Sequence, residues 1–420
     1  MVVFSFGAIG QSDSTTQGLD SATTKNLSEP FISQTALYYP KYRIGLDAKF
    51  GAASKEFSSN QLVEIGTGNY LTESIKSDLI EAASSQLRLG YHQHLEIGYF
   101  ERLNQPLTYP EKDFKQGLSI YQTAFSALDF NGSALALALR GNAPFAGQDL
   151  DLSGSTFEDW YYTGIKYHFS FNLNSRSRAF MGVGILAGHG HALYNFENTS
   201  LFTAEDGSFV ELNGGYELQQ ANTTSSLGVA GLGVGLDFET TLKNGKHWLT
   251  LSAQEFGLMV WTQTESAKRD SSYRFEGIFI DNFESLSDSL LQAEGDAIID
   301  DLLFNDGENY TRLTPFRVAA RYSYQLDKKY FKSVFTEVNY RHLAGYSPQF
   351  QIGANAKTGQ SDLLSCALAY GGFNELSFSV DYHLWFSKYA ITAGLTNAFG
   401  VVAPGLSGGT FGHLGLHYIW

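Results

Sequence analysis

Gly412-His413-Leu414-Gly415-Leu416-His417-Tyr418-Ile419-Trp420 is the stretch that decides the fold. Leu414, Leu416, Tyr418 and Trp420 fall on one face, and His413, Gly415, His417 and Ile419 on the other, which is the two-residue period of a β-strand. A strand in this position needs a partner, and the segment from Tyr42 to Gly51 supplies the matching pattern. There Tyr42, Ile44, Leu46, Ala48 and Phe50 alternate with Arg43, Gly45, Asp47, Lys49 and Gly51. About nine to eleven residues is the length a tilted strand needs to cross the hydrocarbon layer of a membrane.

Composition agrees. Charged residues make up 17% of the 420, aromatics 15%, and Gly numbers 43 against 8 Pro. That balance suits many strands with aromatic girdles and small inward-facing residues. The length would suggest two or three soluble domains, but all-β barrels run long as single domains. The mean hydropathy is −0.16, and no apolar run approaches the roughly 18 to 20 residues of a spanning helix. If the chain sits in a membrane it does so as a closed barrel, the form that satisfies its backbone without water. The net charge of −15 argues against nucleic acid as a partner. Cys366, the single cysteine, has no internal partner and reads as a small residue within a strand.

Alternating segments recur at 42–51, 85–92, 94–103, 158–170, 177–189, 226–240, 247–261, 314–326, 330–342, 347–357, 363–371, 374–384, 387–397 and 411–420. That is an even set of about fourteen, as expected of a bacterial barrel. The glycines from Leu227 to Phe238 make that register the weakest. The connections alternate in length: 53–84, 104–157, 190–225, 262–313, 343–346, a tight turn near 372 and 398–410 form one set. Short turns at Gln93, Asn172–Arg176, Lys243–Gly245, Asp327–Lys329, Thr358–Gln360 and Trp385 form the other. The first set is expected outside the cell and the second, with both termini, in the periplasm. Helical periodicity is expected at Leu71–Ser84 and in the acidic segment Glu284–Leu303.

The amino-terminal part has its own organisation. Val2 to Phe6 are apolar, and Ala8-Ile9-Gly10 supplies small residues where a signal peptidase reads. Residues 1–10 are therefore expected to be the remnant of a signal peptide, with the mature chain beginning at Gln11. A cytoplasmic address follows instead if Met1 is the true start and nothing is cleaved. Residues 11–41 are expected to form a periplasmic or plug segment, and 42–420 the barrel.

Pro110-Glu111-Lys112-Asp113-Phe114, Gly141-Asn142, Leu152-Ser153-Gly154, Gly231 to Asp237, Glu255-Phe256-Gly257 with Trp261, Phe275-Glu276-Gly277, Leu313-Thr314-Pro315 and Asn397 form a set of short motifs. With them the chain resembles the Bacteroidota outer-membrane barrels known as domain of unknown function 5723, with the fatty-acid-channel group of fourteen-stranded barrels as distant analogues. Two departures stand out: Glu255 replaces the usual Asp, and residues 115–140 look like an insertion. The resemblance implies an all-β transmembrane antiparallel barrel, with short helices in its long extracellular loops, in the outer membrane of a Gram-negative bacterium. The tail also resembles the signal by which such barrels are recognised for assembly, carried here by Tyr418 and Trp420. Outer-membrane lipid and the barrel-assembly machinery are then the expected partners. No activity is attached to the family.

No catalytic constellation emerges. His189-Gly190-His191 puts two imidazoles on one strand face, with His168 not far away in sequence, but no third ligand or acidic partner accompanies them, so neither a metal nor a cofactor is expected. Gly231-Leu232-Gly233-Val234-Gly235 lacks the Lys-Ser/Thr of a phosphate loop. The informative set is the inward face: Arg43, Asp47, Lys49, Arg317, Arg321, Glu337, Asn339, Arg341, Asp381, His383, His413 and His417. Facing lipid, each charge would cost on the order of 2 to 4 kcal/mol at the midplane, so these residues are expected to line the lumen. They either neutralise one another as a plug or line a water-filled path. Two functions follow: a passive channel or transporter for small molecules, hydrophobic ones included, or a non-transport scaffold whose acidic loops dock an envelope protein during surface assembly or secretion.

Overall fold

The computed structural model describes residues 42–66, 71–82, 86–102, 114–174, 176–222, 228–262, 264–270, 272–276, 309–326, 328–359, 361–405 and 408–420. In chain order the strands are β1 (Tyr42–Ser54), β2 (Gln86–Arg102), β3 (Lys115–Asn131), β4 (Asp149–Asp151), β5 (Ser155–Asn174), β6 (Ser177–Thr203), β7 (Phe209–Asn222), β8 (Gly231–Asn244), β9 (His247–Trp261) and β10 (Thr264–Asp270). They continue as β11 (Tyr273–Glu276), β12 (Tyr310–Leu313), β13 (Arg317–Gln325), β14 (Phe331–Arg341), β15 (Ser347–Ala356), β16 (Asp362–Gly372), β17 (Asn374–Phe386), β18 (Tyr389–Thr396) and β19 (Gly409–Ile419).

Fourteen of these form a closed antiparallel barrel, running β1-β2-β3-β5-β6-β8-β9-β13-β14-β15-β16-β17-β18-β19 and back to β1. The seam is a full ladder from Arg43 opposite Ile419 to Ala53 opposite Gly409. Tyr42 and Trp420 exchange both backbone hydrogen bonds, at 3.1 and 3.2 Å. Closure removes the two free edges that an open sheet would leave.

Every wall strand turns an exposed apolar residue outward. In ring order these include Ile44, Ile97, Ile120, Ile165, Ile185, Val234, Leu258, Val318, Val338, Ile352, Leu368, Leu376, Ile391 and Leu416. A water-soluble monomer rarely exposes an apolar patch beyond a few hundred Å², and this belt is continuous around the cylinder. It is the lipid-facing surface of a transmembrane barrel. Tyr42, Tyr99, Tyr389, Tyr418 and Trp420 cluster at the end that carries the short turns, with ring centroids 5.3 to 6.5 Å apart. They form part of an aromatic girdle at that rim.

Two strand boundaries differ from expectation, and their effects cancel in the count. Gln93 is not a turn: β2 runs unbroken, with Gln93 opposite Phe50 and Ala124. A polar Gln between two histidines imitates a break in an alternation that never stops. The expected loop 104–157 and its insertion contain β3, which pairs along its length with β2 and β5. Aromatic residues on the inner face of β3, Tyr121 and Phe125, blur its period against outward Gln122, Ala124 and Ser126. The expected loop 190–225 is also largely strand: β6 continues past the barrel to Thr203 and pairs with β7, which pairs in turn with β10 and β11. The expected strand 314–326 starts later, at Arg317, because Thr314-Pro315-Phe316 forms a break that separates β13 from β12.

Short helices crown the loop-bearing rim: α1 (Ser59–Gly66), α2 (Glu73–Ala82), α3 (Gly132–Arg140) and α4 (Phe399–Val402). The expected helix at 71–84 is thus present as α2. Asn131 caps α3, its side-chain oxygen accepting the Ala134 N–H at 2.8 Å, as the first turn requires. Leu79 and Leu135 pack with Phe57 and Leu87 on the outside of the β2 end, each fully buried aliphatic contributing about 1.5 to 3 kcal/mol. The acidic segment 284–303 and residues 1–41 lie outside the described residues.

Candidate functional site: a closed interior

The interior is filled on the side of the loops. Tyr121 and Phe125 of β3, Trp160 and Tyr162 of β5, Leu186 of β6, and Met259 and Trp261 of β9 form one buried cluster with Leu343 and Phe373. Trp160 and Trp261 meet at 5.8 Å between centroids although two strands separate them in the wall. The last two members come from short turns. The connection 343–346, expected to project outward, instead folds in, and its Ala344 N–H donates to Glu158 on β5 at 3.0 Å. Phe373, in the tight turn between β16 and β17, lies against Gly90 of β2, where any side chain would overlap its ring. Opposite walls therefore touch through the lumen.

Beneath this apolar plug lies a charged layer. β9 bulges at Gln254-Glu255, where the register with β8 slips between Leu236 and Phe238, and Glu255 sits at φ 58°. A left-handed non-glycine residue costs on the order of 1 to 3 kcal/mol and persists when its surroundings over-determine it. Here they do: Asp237 accepts the Glu255 N–H at 2.7 Å, Thr314 Oγ1 donates to the Glu255 carbonyl, and Arg341 Nη1 reaches Glu255 Oε2 at 3.0 Å. The same Arg341 nitrogen donates to the Pro315 carbonyl at 2.9 Å, and its guanidinium lies 4.6 Å from the Phe125 ring centre. β3 and β14 stand six strands apart in the ring of fourteen, so that contact also spans the lumen. Asp237 is held in turn by Lys166, and His94 of β2 lies 3.9 Å from Glu255.

The inward set named from the sequence is distributed as follows. Glu337 receives Arg317 at 2.8 Å and Arg321 at 2.7 Å, while Asn339 donates to Gln349 at 3.2 Å and accepts from the Tyr346 hydroxyl at 2.9 Å. At the seam, His417 lies 3.4 Å from Asp47 and His413 lies 3.7 Å from Asp381. His383 stacks on Trp385 at 6.2 Å, and Arg43 lies over Phe100 at 4.3 Å. Lys49 stands opposite His413 and His94 in the two neighbouring strands. The side chains of Asp47, Arg317, Asp381 and His413 retain 36, 33, 32 and 27% of their accessible surface.

Glu255, Asp237, Lys166, His94 and Glu158 were not among the residues expected to act. The signal was present in part: the motifs around Asp237, Glu255 and Thr314 are distant in sequence and converge at the bulge. His189 and His191 do not share a face. The ladder skips His189 between Tyr161 and Tyr162, so His189 bonds Thr163 at 2.8 Å and the Gly228 carbonyl at 2.6 Å, while His191 bonds the Tyr310 hydroxyl at 2.8 Å. The inserted residue flips the parity on which the expectation rested.

No family model matches the sequence, and no curated protein does. Among solved structures the chain is similar to a FadL homologue of Pseudomonas aeruginosa, with 10% identity over 91% of this chain and 92% of that one and a TM-score of 0.44. It is similar to the toluene transporter TbuX of Ralstonia pickettii, at 10% identity, 90% and 89% coverage and a TM-score of 0.43. The translocator domain of the autotransporter NalP from Neisseria meningitidis matches at 8% identity, 90% and 88% coverage and a TM-score of 0.34. The barrel assignment rests on the closed strand ladder and the apolar belt.

Proposed function

We propose that this protein is an outer-membrane barrel of a Gram-negative bacterium that passes small molecules, hydrophobic ones included, and that the state described here is closed at the loop-bearing rim. The observation that carries this reading is the partial accessibility of Asp47, Arg317, Asp381 and His413. These groups face inward, yet they keep between 27 and 36% of their surface, as groups lining a wetted space do. A purely structural filling would bury and pair them or replace them with apolar residues, since buried ion pairs are seldom the more stable filling. Kinship with the Bacteroidota barrels of domain of unknown function 5723 and delivery by the barrel-assembly machinery belong to the same proposal, supported by the short motifs and the aromatic tail.

Purified full-length protein in planar bilayers tests it. Discrete openings, more frequent when Leu343 and Phe373 are both changed to Ala, support the conduit. Silence of both proteins, with the barrels shown to be folded by heat-modifiable migration, overturns it. The sheet formed by the far end of β6 with β7, β10 and β11 favours a second use, as a docking surface in surface assembly or secretion. Silent bilayers together with co-purification of another envelope protein support that alternative.

A further inference from the structure

The connection 398–410, expected outside the cell, has the composition of the wall and not of the acidic loops. From Tyr389 to Gly412 the chain holds no Asp, Glu, Lys, Arg or His. β17 runs from Asn374 to Ser379 beyond its last pair with β18, Val380 opposite Leu395, and α4 stands beside the stretch left without that partner. The Ala398 N–H donates to the Phe378 carbonyl at 2.6 Å, and the Phe399 ring packs on the Phe378 ring at 5.7 Å between centroids. Phe378 lies opposite Leu368 of the apolar belt, so this contact is on the outer surface of the barrel. Leu376, nearer the rim than Phe378, is exposed, as is Tyr370 opposite it. α4 therefore sits at a height where the neighbouring wall is still apolar.

Polar and apolar groups are sorted within this connection. Phe399, Val401 and Val402 are exposed, Val402 at 80%, whereas Gly400 is turned inward, where a side chain would overlap the Gly409 carbonyl. The amides of Ala398, Gly400, Val401, Val402 and Ala403 all donate to carbonyls of the chain. Asn397 Nδ2 donates to the Gly409 carbonyl at 2.6 Å, and the Thr410 hydroxyl to the Thr396 carbonyl at 3.0 Å. A segment in hydrocarbon must satisfy its backbone within the protein and can leave its apolar side chains bare. A loop in water gains nothing by grouping exposed large apolar residues.

We propose that α4 is seated among the acyl chains of the lipid leaflet at the loop-bearing rim, where it covers the wall above the short β18–β19 hairpin and presents Phe399, Val401 and Val402 to lipid. The occupant of this face is lipid because the face continues the apolar belt through Phe378 and Leu376. The inference stands on the barrel and its belt and does not depend on the conduit.

Val402→Cys in a full-length Cys366→Ser background, labelled with bimane and reconstituted into phosphatidylcholine vesicles, tests it, with acyl-chain-brominated phosphatidylcholine as the quencher. Ile185→Cys on the belt and Asp206→Cys in the exposed turn between β6 and β7 are the references. Brominated lipid is expected to quench the label at position 402 as strongly as at 185, with a matching blue shift of its emission, and to leave the label at 206 unquenched. Val401→Cys is expected to behave as Val402→Cys does, and it replaces that variant if heat-modifiable migration shows the first to be misfolded. Labels at 401 and 402 that brominated lipid does not quench, while the label at 185 is quenched, overturn the proposal. So does a label at 402 that aqueous iodide reaches as readily as at 206, or one shielded from iodide only at high protein-to-lipid ratio, which marks contact with a second copy of the chain.

Discussion

Arg341 Nη1 lies 3.0 Å from Glu255 Oε2 and 2.9 Å from the Pro315 carbonyl, so one guanidinium joins the bulge of β9 to the break before β13. Both side chains keep under a sixth of their accessible surface. Removing one partner of such a pair leaves an uncompensated buried charge. Arg341→Met is expected to lower unfolding stability by about 3 to 5 kcal/mol, measured by urea titration in lipid vesicles. Arg341→Met combined with Glu255→Gln should recover part of that loss. Additive losses would show that the two groups are not coupled.

Leu343 and Phe373 reach from one wall onto the aromatic cluster of the other. The turn that carries Leu343 is pinned by the hydrogen bond from Ala344 to Glu158. Glu158→Ala removes that anchor and is expected to raise the rate of solute entry into proteoliposomes, in the same direction as Phe373→Ala. Unchanged swelling rates in both variants would place the barrier elsewhere.

His417 occupies the seam over Gly45, its direct partner across the β1–β19 ladder. A side chain at 45 would overlap the imidazole. Gly45→Val is therefore expected to destabilise the barrel by about 1 to 3 kcal/mol through overpacking, and His417→Ala in the same chain should relieve much of it. Urea midpoints of the two single variants and the double variant decide the point.

Trp420 stacks on Tyr42 at 5.6 Å and on Tyr418 at 5.3 Å while pairing with Tyr42 through the backbone. Deleting Trp420, or changing Tyr418 and Trp420 to Ser, is expected to prevent membrane insertion. Normal amounts of heat-modifiable protein in the membrane fraction would refute a role for the tail in assembly.

Ile185 sits in the middle of the outward face of β6 and is 66% exposed. Ile185→Arg is expected to cost about 2 to 4 kcal/mol in a bilayer, as a lipid-facing charge does near the midplane. The same variant in detergent micelles, where the head group reaches water easily, should lose less. Equal losses would argue that this face does not meet hydrocarbon.

The alternation of residues such as Ile44 and Leu46 with Gly45 and Asp47 was enough to determine the fold class and the partnership of β1 with the tail. A β-strand carries its facing information locally, with a period of two. That same locality explains the errors. Gln93 looked like a turn and β3 like an insertion because an inward aromatic or an outward Gln weakens the period without ending the strand, and the bulge at His189 reverses parity without leaving a mark in composition. Which inward residues meet was decided only by the tertiary structure. Arg341 and Phe125, His94 and Glu255, and Ala344 and Glu158 are far apart in sequence and stand on well-separated parts of the wall. Their contacts depend on the circumference set by fourteen strands, on register slips in β6 and β9, and on two short turns folding inward. The sequence by itself thus specified the cylinder and, away from the bulges, the face that strand residues take, while closure in three dimensions determined how the enclosed space is filled.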